Sequence, residues 1–307
     1  MANRTIAAFG LGEIYPPNLA KNMSALQKAG WTAIIAGLFH IDASGNLYIN
    51  DTQITNNAQY IGSPDWPGQL QQLLKGPGST ITTLEASIGG WGVNDFSNVK
   101  TIYEKNNKSF AGTLLQKTFQ LFFITFPMIR LIDMDMENTY DQPSFVAFCQ
   151  MLIQIGFGIT FCPYTQQSFW TGSLAALNKS NPGAVKWWNL QCYAGGGGND
   201  PKNWAAAITS AIPGFNTNSF LLASDWSRNL NQPNPDPSTW YWEGDCPPAM
   251  QGLLATFAKE PCISGAFVWN IDQILNYAAD QKKKPDPNPC GVVGMTDYVA
   301  AVKKALG

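Results

Sequence analysis

The chain alternates between short apolar runs and longer amphipathic stretches from end to end. Eight of the runs are rich in apolar and β-branched residues, as is typical of strands buried on both faces. They are 5–12, 32–39, 80–88, 128–137, 157–164, 185–193, 219–224 and 263–271. Helical periodicity fills the intervals, for example at 18–30, 144–156, 203–212 and 297–306. Strands that alternate with helices predict an α/β fold with a parallel sheet.

Two parallel architectures fit this alternation. Eight strands and their helices within 307 residues match the size of a closed (β/α)8 TIM barrel. A doubly wound open sheet is the alternative, and it would need a glycine-rich phosphate-binding turn after its first strand. The segment FGLGEIYPPN (9–18) is a poor match to that turn, and AGGGGND (194–200) is better interpreted as a loop over the sixth strand. We therefore predict a TIM barrel formed by one domain, 1–307.

Composition narrows the range of partners. Charged residues make up 13% of the chain, against about a quarter in typical globular proteins, and the formal net charge is −2. Without a basic patch, the chain is not expected to bind nucleic acid or an anionic membrane surface. No apolar run is long enough to predict a transmembrane helix. The first residues, MANRTIAAFG, have no signal-peptide pattern.

The six cysteines lack the spacing of a metal site, and no metal is expected. Cys162 and Cys192 lie inside apolar runs, where a buried thiol is the expected state. Cys246 and Cys290 lie in proline-rich segments and could form a disulfide, which the sequence leaves open.

Polar and aromatic residues occur where several of the predicted strands end. In a TIM barrel the carboxyl ends of the strands carry the catalytic groups. Candidate positions lie at 87–91, 133–138, 162–165, 191–194, 224–226 and 269–272. A packed barrel interior has no structural need for such side chains, so their positions predict a functional site at this face.

Three of these residues are acids at alternate positions of one strand, in LIDMDMEN (131–138). Side chains alternate along a strand, so Asp133, Asp135 and Glu137 point to one side. The apolar residues between them suit the helix layer, and we expect the acids to point into the barrel, with Glu137 at the rim and Asp133 deepest. Crowded buried carboxyls raise one another's pKa, which produces a proton donor at neutral pH. A solvated strand face without chemistry is the alternative interpretation.

Four segments carry a resemblance to one enzyme family. IDMDME (132–137) resembles the D-x-D-x-E core of the family 18 glycoside hydrolases, the chitinases, at the end of their fourth strand. EASIGGWG (85–92) is similar to the family's S-x-G-G motif, and GAFVWNID (265–272) to its eighth-strand segment with a Trp. NLQCYAG (189–195) resembles the Q-x-Y of the short plant-type, hevamine-like members. The resemblance covers essentially the whole chain.

The resemblance implies a retaining, substrate-assisted hydrolysis of β-1,4-linked N-acetylglucosamine polymers such as chitin, without a cofactor. Glu137 would protonate the glycosidic oxygen, and Asp135 would orient the substrate's 2-acetamido group as its oxygen attacks the anomeric carbon. Asp133 would share a proton with Asp135, and Tyr193 would donate its hydroxyl to the same acetamido oxygen. An ordinary barrel-end aromatic is the alternative for Tyr193. Chitin, peptidoglycan and N-glycan cores all present such a sugar, and the sequence does not separate them.

The resemblance also implies which residues bind substrate. Trp269 would form the floor under the sugar, Gln191 would reach the same pocket, and Trp91 and Tyr164 would complete it. Core packing is the alternative for both Trp residues, and hydrogen bonding to the neighbouring acids is the alternative for Gln191.

The segment after the seventh strand, 224–250, is too short for the α+β insertion domain of long chitinases. We therefore expect an open, shallow groove that favours internal cleavage of a polymer. Aromatic stacking residues along this groove are expected at Trp170, Trp226, Tyr241 and Trp242.

Two positions depart from the family pattern. Arg130 replaces an Asp three residues before Asp133, and Ala194 replaces an Asp or Asn after Tyr193. Arg130 is expected to pair with a nearby carboxylate and lower its pKa. In silent relatives the acid or its partner Asp is typically absent, whereas both stand here, so an enzyme is expected. A non-catalytic chitinase-like lectin or inhibitor is the alternative. The resemblance further implies a secreted or extracellular monomer.

Overall fold

The computed structural model describes residues 4–196 and 198–307, and it shows a closed barrel of eight parallel strands. The strands are β1 Thr5–Gly10, β2 Ala33–Ile41, β3 Thr83–Gly90, β4 Ile129–Met136, β5 Gly158–Phe161, β6 Val185–Asn189, β7 Leu221–Trp226 and β8 Ile263–Trp269. Each strand pairs with the next in chain order, and β8 pairs with β1, which closes the ring. The predicted (β/α)8 TIM barrel is confirmed.

Ten helices surround the barrel in the described part of the chain. They are α1 Asn18–Ala29, α2 Trp66–Lys75, α3 Asp95–Lys105, α4 Leu114–Thr125, α5 Gln142–Ile155, α6 Gln167–Ser180, α7 Pro201–Ala211, α8 Pro247–Phe257, α9 Ile271–Lys283 and α10 Met295–Leu306. Side-chain caps begin several of them: Asp141 accepts from Ser144 N at α5, and Asn270 accepts from Gln273 N at α9. All four helices predicted by periodicity are present, with ends that differ by a few residues.

Alternation along the strands divides the apolar side chains between two environments. A small cluster fills the barrel interior with Ala7, Phe9, Ala33, Ile35, Cys162, Leu222 and Phe267. On β4, Ile132, Met134 and Met136 instead join the larger core between the strands and the helices. Asp133 and Asp135, which alternate with these residues, therefore point into the barrel, as the sequence pattern predicts.

Short elements decorate the rim. Leu47–Ile49 and Thr52–Gln53 extend the edge after β2, Thr55–Asn56 pairs with Gln59–Tyr60, and Asn229–Asn231 pairs with Tyr241–Glu243. Single turns of 3-10 helix occur at Gly12–Ile14, Ala194–Gly196 and Pro237–Thr239. A short hairpin, from 229 to 243, follows β7, and the described residues between β7 and α8 contain no inserted α+β domain.

The cysteines behave as two separate groups. Cys246 and Cys290 form a disulfide that ties the start of α8 to the segment before α10. Cys162 and Cys192 are buried free thiols, as predicted.

Two stretches of the sequence reach outside the described residues. The loop predicted at 194–200 includes Gly197, and the N-terminal stretch includes residues 1–3; these positions lie outside the described residues. Within the ranges that the structure does describe, no helix is long and apolar enough to cross a bilayer.

Candidate active site

The acids of β4 form a ladder that rises from the barrel interior to its mouth. Asp133 is fully buried, Asp135 is 2% exposed, and Glu137 is half-buried just beyond the strand end. In the register of β3 with β4, Ser87 lies beside Asp133 and Gly89 beside Asp135. Gly89 has φ +117°, and a Cβ there would lie 2.0 Å from the Asp135 carbonyl oxygen. The glycine therefore lets β3 approach the ladder closely.

Asp133 at the base accepts three hydrogen bonds from neighbouring strands. Ser87 Oγ donates to Asp133 Oδ2 at 2.7 Å, and Thr160 Oγ1 lies 2.9 Å from Asp133 Oδ1. Asn189 Nδ2 donates to the same Oδ1 at 2.9 Å. These polar neighbours come from β3, β5 and β6 and satisfy a carboxylate that has no access to water.

Asp135 and Glu137 form a hydrogen-bonded pair of carboxyls at the mouth. Gln191 Nε2 donates to Asp135 Oδ1 at 2.9 Å and lies 3.2 Å from Glu137 Oε1. Gln191 itself is buried. The proton sharing between Asp133 and Asp135 that the resemblance implies stays a prediction, and the contacts of Asp135 at the mouth are with Gln191 and Glu137.

Burial and mutual repulsion shift the acids toward their neutral forms. Burial raises the pKa of Asp135 well above the usual carboxyl range, and the charges of Glu137 and Asp133 raise it further. Burial also raises the pKa of Glu137, while hydrogen bonds from Gln191 and Asp135 restrain that rise. Burial raises the pKa of Asp133, against its three hydrogen-bond donors. All three shifts favour the protonated form of the carboxyls, as a general acid requires.

Tyr193 and Trp269 lie together in the aromatic part of the mouth. Their ring centroids are 6.4 Å apart with an interplanar angle of 27°, and Trp269 packs on Phe9 at 4.9 Å. Burial, followed by the nearby Cys162, Asp135 and Glu137, raises the pKa of Tyr193 well above its usual value. Tyr193 is therefore a neutral hydroxyl donor close to the paired acids.

One cavity of about 480 Å³ contains these groups. Its walls include every predicted site residue except Asp133, which lies beneath the floor: Asp135, Glu137, Tyr164, Gln191, Tyr193, Trp91 and Trp269. Trp91 is 85% exposed at the edge of the cavity. An indole with so much free surface is not a core residue, so the core-packing alternative for Trp91 does not hold, and its role in substrate binding stays a prediction. Ala194 lines the same cavity.

Several groove predictions need correction. Trp226 and Tyr241 do line the cavity, but Trp170 lies on the inner face of α6, fully buried against Phe145 and Phe161. Trp242 points away, packing on Tyr277 and donating from its indole N–H to the Lys284 carbonyl. A count of aromatics does not reveal which side of a short hairpin strand faces a groove.

The predicted pairing of Arg130 with a carboxylate is wrong. Its side chain lies on the outer surface, donates to the carbonyls of Phe123 and Ile129, and stacks on the Phe123 ring at 4.0 Å. Arg130 is an even-numbered residue of β4, so alternation directs it away from the acids.

Sequence reasoning missed three polar residues near the cavity. Asn231 and Glu243, hydrogen-bonded at 2.7 Å, line it from the hairpin after β7. Glu85 is buried in the barrel below Asp133. Glu85 could have been predicted, because it alternates with Ser87 and Gly89 on β3 and therefore points into the barrel with them. No sequence pattern predicts Asn231 and Glu243 at the cavity.

Comparison with solved structures finds the same fold among chitinases. A chitinase from Chromobacterium violaceum superposes with a TM-score of 0.58 at 13% identity, covering 99% of both chains. The catalytic domain of a family GH18 chitinase from the fern Peteris ryukyuensis gives 0.52 at 13%, also covering 99% of both chains. An immunomodulatory active chitinase from Trichuris suis gives 0.62 at 11%, over 99% of this chain and all of the other.

No protein-family model matches the sequence, and no curated protein matches it. At these low identities the structural likeness establishes the fold. The chain has the barrel architecture found in chitinases of family 18.

Proposed function

We propose that this chain is a glycoside hydrolase of the family 18 type, closest to the short hevamine-like members, that cleaves β-1,4-linked N-acetylglucosamine polymers with retention of configuration. One observation carries the proposal: the Asp133–Asp135–Glu137 ladder reaches a cavity in which Gln191, Tyr193 and Trp269 face it. The acid pair, the hydroxyl donor and the aromatic floor together fit a sugar that carries its own nucleophile.

The proton shared by Asp135 and Glu137 lies on Glu137 when the leaving group departs. Glu137 gives it to the glycosidic oxygen as the bond from the anomeric carbon to that oxygen breaks. The acetamido carbonyl oxygen of the same sugar bonds to the anomeric carbon and occupies the position of a protein nucleophile.

Asp135, now ionised, accepts the acetamido N–H and stabilises the positive charge that develops on the ring so formed. Tyr193 donates its hydroxyl to the acetamido oxygen and holds it beneath the anomeric carbon. Water then adds to that carbon while Glu137 takes back a proton, so two inversions leave the configuration retained.

The open side of the cavity supports internal cleavage. Among the described residues, only the hairpin from 229 to 243 rises on the side of β7, and Trp91 stands free at the opposite edge. A polymer can therefore lie across the mouth without threading an end. We propose endo cleavage, with a broad range of oligosaccharides in the first products and not disaccharide alone.

The disulfide supports a location outside the reducing cytosol. Cys246 and Cys290 are joined, and structural disulfides persist in oxidising compartments. We propose a secreted or extracellular protein that acts as a monomer on N-acetylglucosamine-containing polysaccharide.

Hydrolysis of a chitin oligosaccharide by wild type and Glu137→Gln tests the function. The wild type should release shorter oligosaccharides of β configuration, and Glu137→Gln should lose about 10²- to 10⁴-fold in rate because it has no proton to donate. Glu104→Gln, an exposed change on α3, is the matched control and should keep full activity. Tight oligosaccharide binding by a wild type that releases no product would instead identify a non-catalytic carbohydrate-binding protein.

A further inference from the structure

Glu85 is a buried acid for which the reaction described above has no role. It lies on β3, one inward position below Ser87, and its side chain is fully buried inside the barrel. Its neighbour in register on β4 is Leu131, two residues below Asp133. One oxygen, Oε1, has no hydrogen-bond partner among the described residues. Keeping a charge on a carboxyl in this environment costs free energy, so the presence of an acid at this position needs a chemical explanation.

Glu85 and Asp133 share two hydrogen-bonding groups. Thr160 Oγ1 lies 2.7 Å from Glu85 Oε2 and 2.9 Å from Asp133 Oδ1. Asn189 Nδ2 lies 3.2 Å and 2.9 Å from the same two oxygens. The indole N–H of Trp187 donates to Asn189 Oδ1 at 3.1 Å, which directs the amide nitrogen toward the acids. The two carboxyls are therefore bridged from two strands.

Counting protons at the bridge shows that one of the two carboxyls is neutral. Asn189 has two amide hydrogens and can serve both acids, but the Thr160 hydroxyl has only one. Thr160 can therefore donate to only one of the two acids. Its short contact with the other acid is a hydrogen bond only if that acid is protonated and donates to Thr160 Oγ1. Asp133 already accepts from Ser87, so the charge is better placed on Asp133 and the proton on Glu85.

The surroundings of Glu85 agree with a neutral acid. Burial, followed by the charge of Asp133, raises the pKa of Glu85 to about 8. From β5 and β6 it meets the uncharged Thr160 and Asn189, and Asp133 on β4 is the titratable group that acts on it. The interior side chains of the remaining strands are apolar: Ala7, Ile35, Leu222 and Phe267. No described residue in this layer compensates a second negative charge.

We propose that Glu85 is a positioning residue that exchanges a proton with Asp133 through the Thr160 hydroxyl. In the exchange the Glu85 Oε2 proton moves to Thr160 Oγ1 while the Thr160 proton moves to Asp133 Oδ1. Glu85 gains the negative charge that Asp133 loses, and Thr160 ends unchanged. The negative charge can thus lie either on Asp133, directly under Asp135, or one layer deeper on Glu85.

The catalytic consequence rests on the function proposed above. A charge on Asp133 opposes ionisation of Asp135, and Asp135 must ionise to stabilise the substrate's acetamido group. When the charge moves from Asp133 to Glu85, the negative charge nearest to Asp135 is removed and Asp135 ionises more easily. At higher pH an ionised Glu85 also repels charge on the acids above, so those acids keep their protons longer than they would above a neutral residue.

Infrared spectroscopy of Glu85→Gln tests the protonation state without any assay of activity. The amide introduced by this substitution can still donate to Thr160 but has no carboxyl band. The wild type minus Glu85→Gln difference spectrum near pH 6 should show the C=O stretch of a buried carboxylic acid, and that band should fade as the pH is raised past about 8. A difference spectrum that shows only a carboxylate band at pH 6 would overturn the proposal, whether or not the protein hydrolyses chitin.

The pH profile of kcat/KM tests the coupling to the reaction. Glu85→Gln should move the alkaline limb to lower pH by about half a unit to one unit. The variant lacks the negative charge that Glu85 acquires at higher pH, so the acids above it lose their protons at lower pH. Glu85→Asp, which keeps an acid, should restore part of the shift. A fall in kcat with an unmoved limb, or a Glu85→Gln profile identical to wild type, would show a purely structural residue and refute the exchange.

Discussion

Replacing Gln191 by Leu removes an amide that donates to both acids at the mouth of the barrel. Gln191 Nε2 lies 2.9 Å from Asp135 Oδ1 and 3.2 Å from Glu137 Oε1, and the side chain is 4% exposed. Leu has a similar volume and no polar atom, so the main change is the loss of these contacts. The backbone bond from Gln191 N to the Pro163 carbonyl is unaffected.

The size of the effect follows from the charge on the acceptors. A hydrogen bond to a charged group contributes about 1.5–3 kcal/mol, and this one acts on the carboxylate that forms when Glu137 gives up its proton. Its loss should lower kcat about 10- to 150-fold. Gln191 also restrains the pKa of Glu137, so that pKa should rise further in the variant. A general acid with a higher pKa keeps its proton to higher pH, and the alkaline limb should therefore move upward.

Steady-state hydrolysis of a chromogenic chitin oligosaccharide between pH 4 and pH 10 measures both effects at once. Gln69→Leu on α2, outside the cavity lining, serves as the matched Gln-to-Leu control and should behave as wild type. Thermal unfolding of each variant shows whether the fold is intact. An alkaline limb that moves downward, or a kcat within twofold of wild type, would refute the assigned role of Gln191.

Three further changes test other parts of the structure. Asp225 is buried beside Asp245, and burial raises its pKa to about 8. The folded state therefore loses stability as the pH rises from about 4 to 8, because ionisation of Asp225 is easier in the unfolded chain. Asp225→Asn should remove roughly 3 kcal/mol of this loss between pH 5 and 8, measured as a flatter dependence of Tm on pH. Cys290→Ser opens a loop of 44 residues and should lower the free energy of unfolding by about 4 kcal/mol in urea titrations. Trp91→Ala should weaken binding of a chitin oligomer up to about tenfold in calorimetry while Tm stays unchanged.

The barrel was predictable because every strand is buried on both faces and every helix on one. Each of the eight apolar runs overlaps the strand that the structure shows, and the predicted ends are in error mainly where the chain leaves the sheet. Strands β2, β3 and β7 extend past the predicted ends, to Ile41, Gly90 and Trp226. The run at 185–193 illustrates this, since β6 ends at Asn189. Gln191 and Tyr193 nevertheless reach the cavity, because the extended chain continues past the last residue of β6 that pairs with a neighbouring strand.

The site was predictable to the extent that alternation was applied. It places Asp133, Asp135 and Glu137 in order of depth, and applied to β3 it would have found Glu85. The same rule contradicts the expectation that Arg130 meets a carboxylate, because residue 130 has the opposite parity. Trp170 and Trp242 failed for a different reason: their orientation depends on how a loop or helix packs, which is a tertiary property that no local period encodes.

The depth of the acid ladder favours catalysis over binding alone. A neutral sugar can be held by the aromatic faces of Trp91 and Trp269 with donors such as Gln191, all of which line the cavity. Asp133 and Glu85 do not line it, and both are fully buried.

Buried ionisable groups oppose folding, and apolar replacements of similar volume are often neutral or stabilising. Acids beneath the floor contribute nothing to a lectin's contact with its ligand. Under the exchange that we propose, they control which acid above them carries a proton, and that control serves a reaction that moves protons.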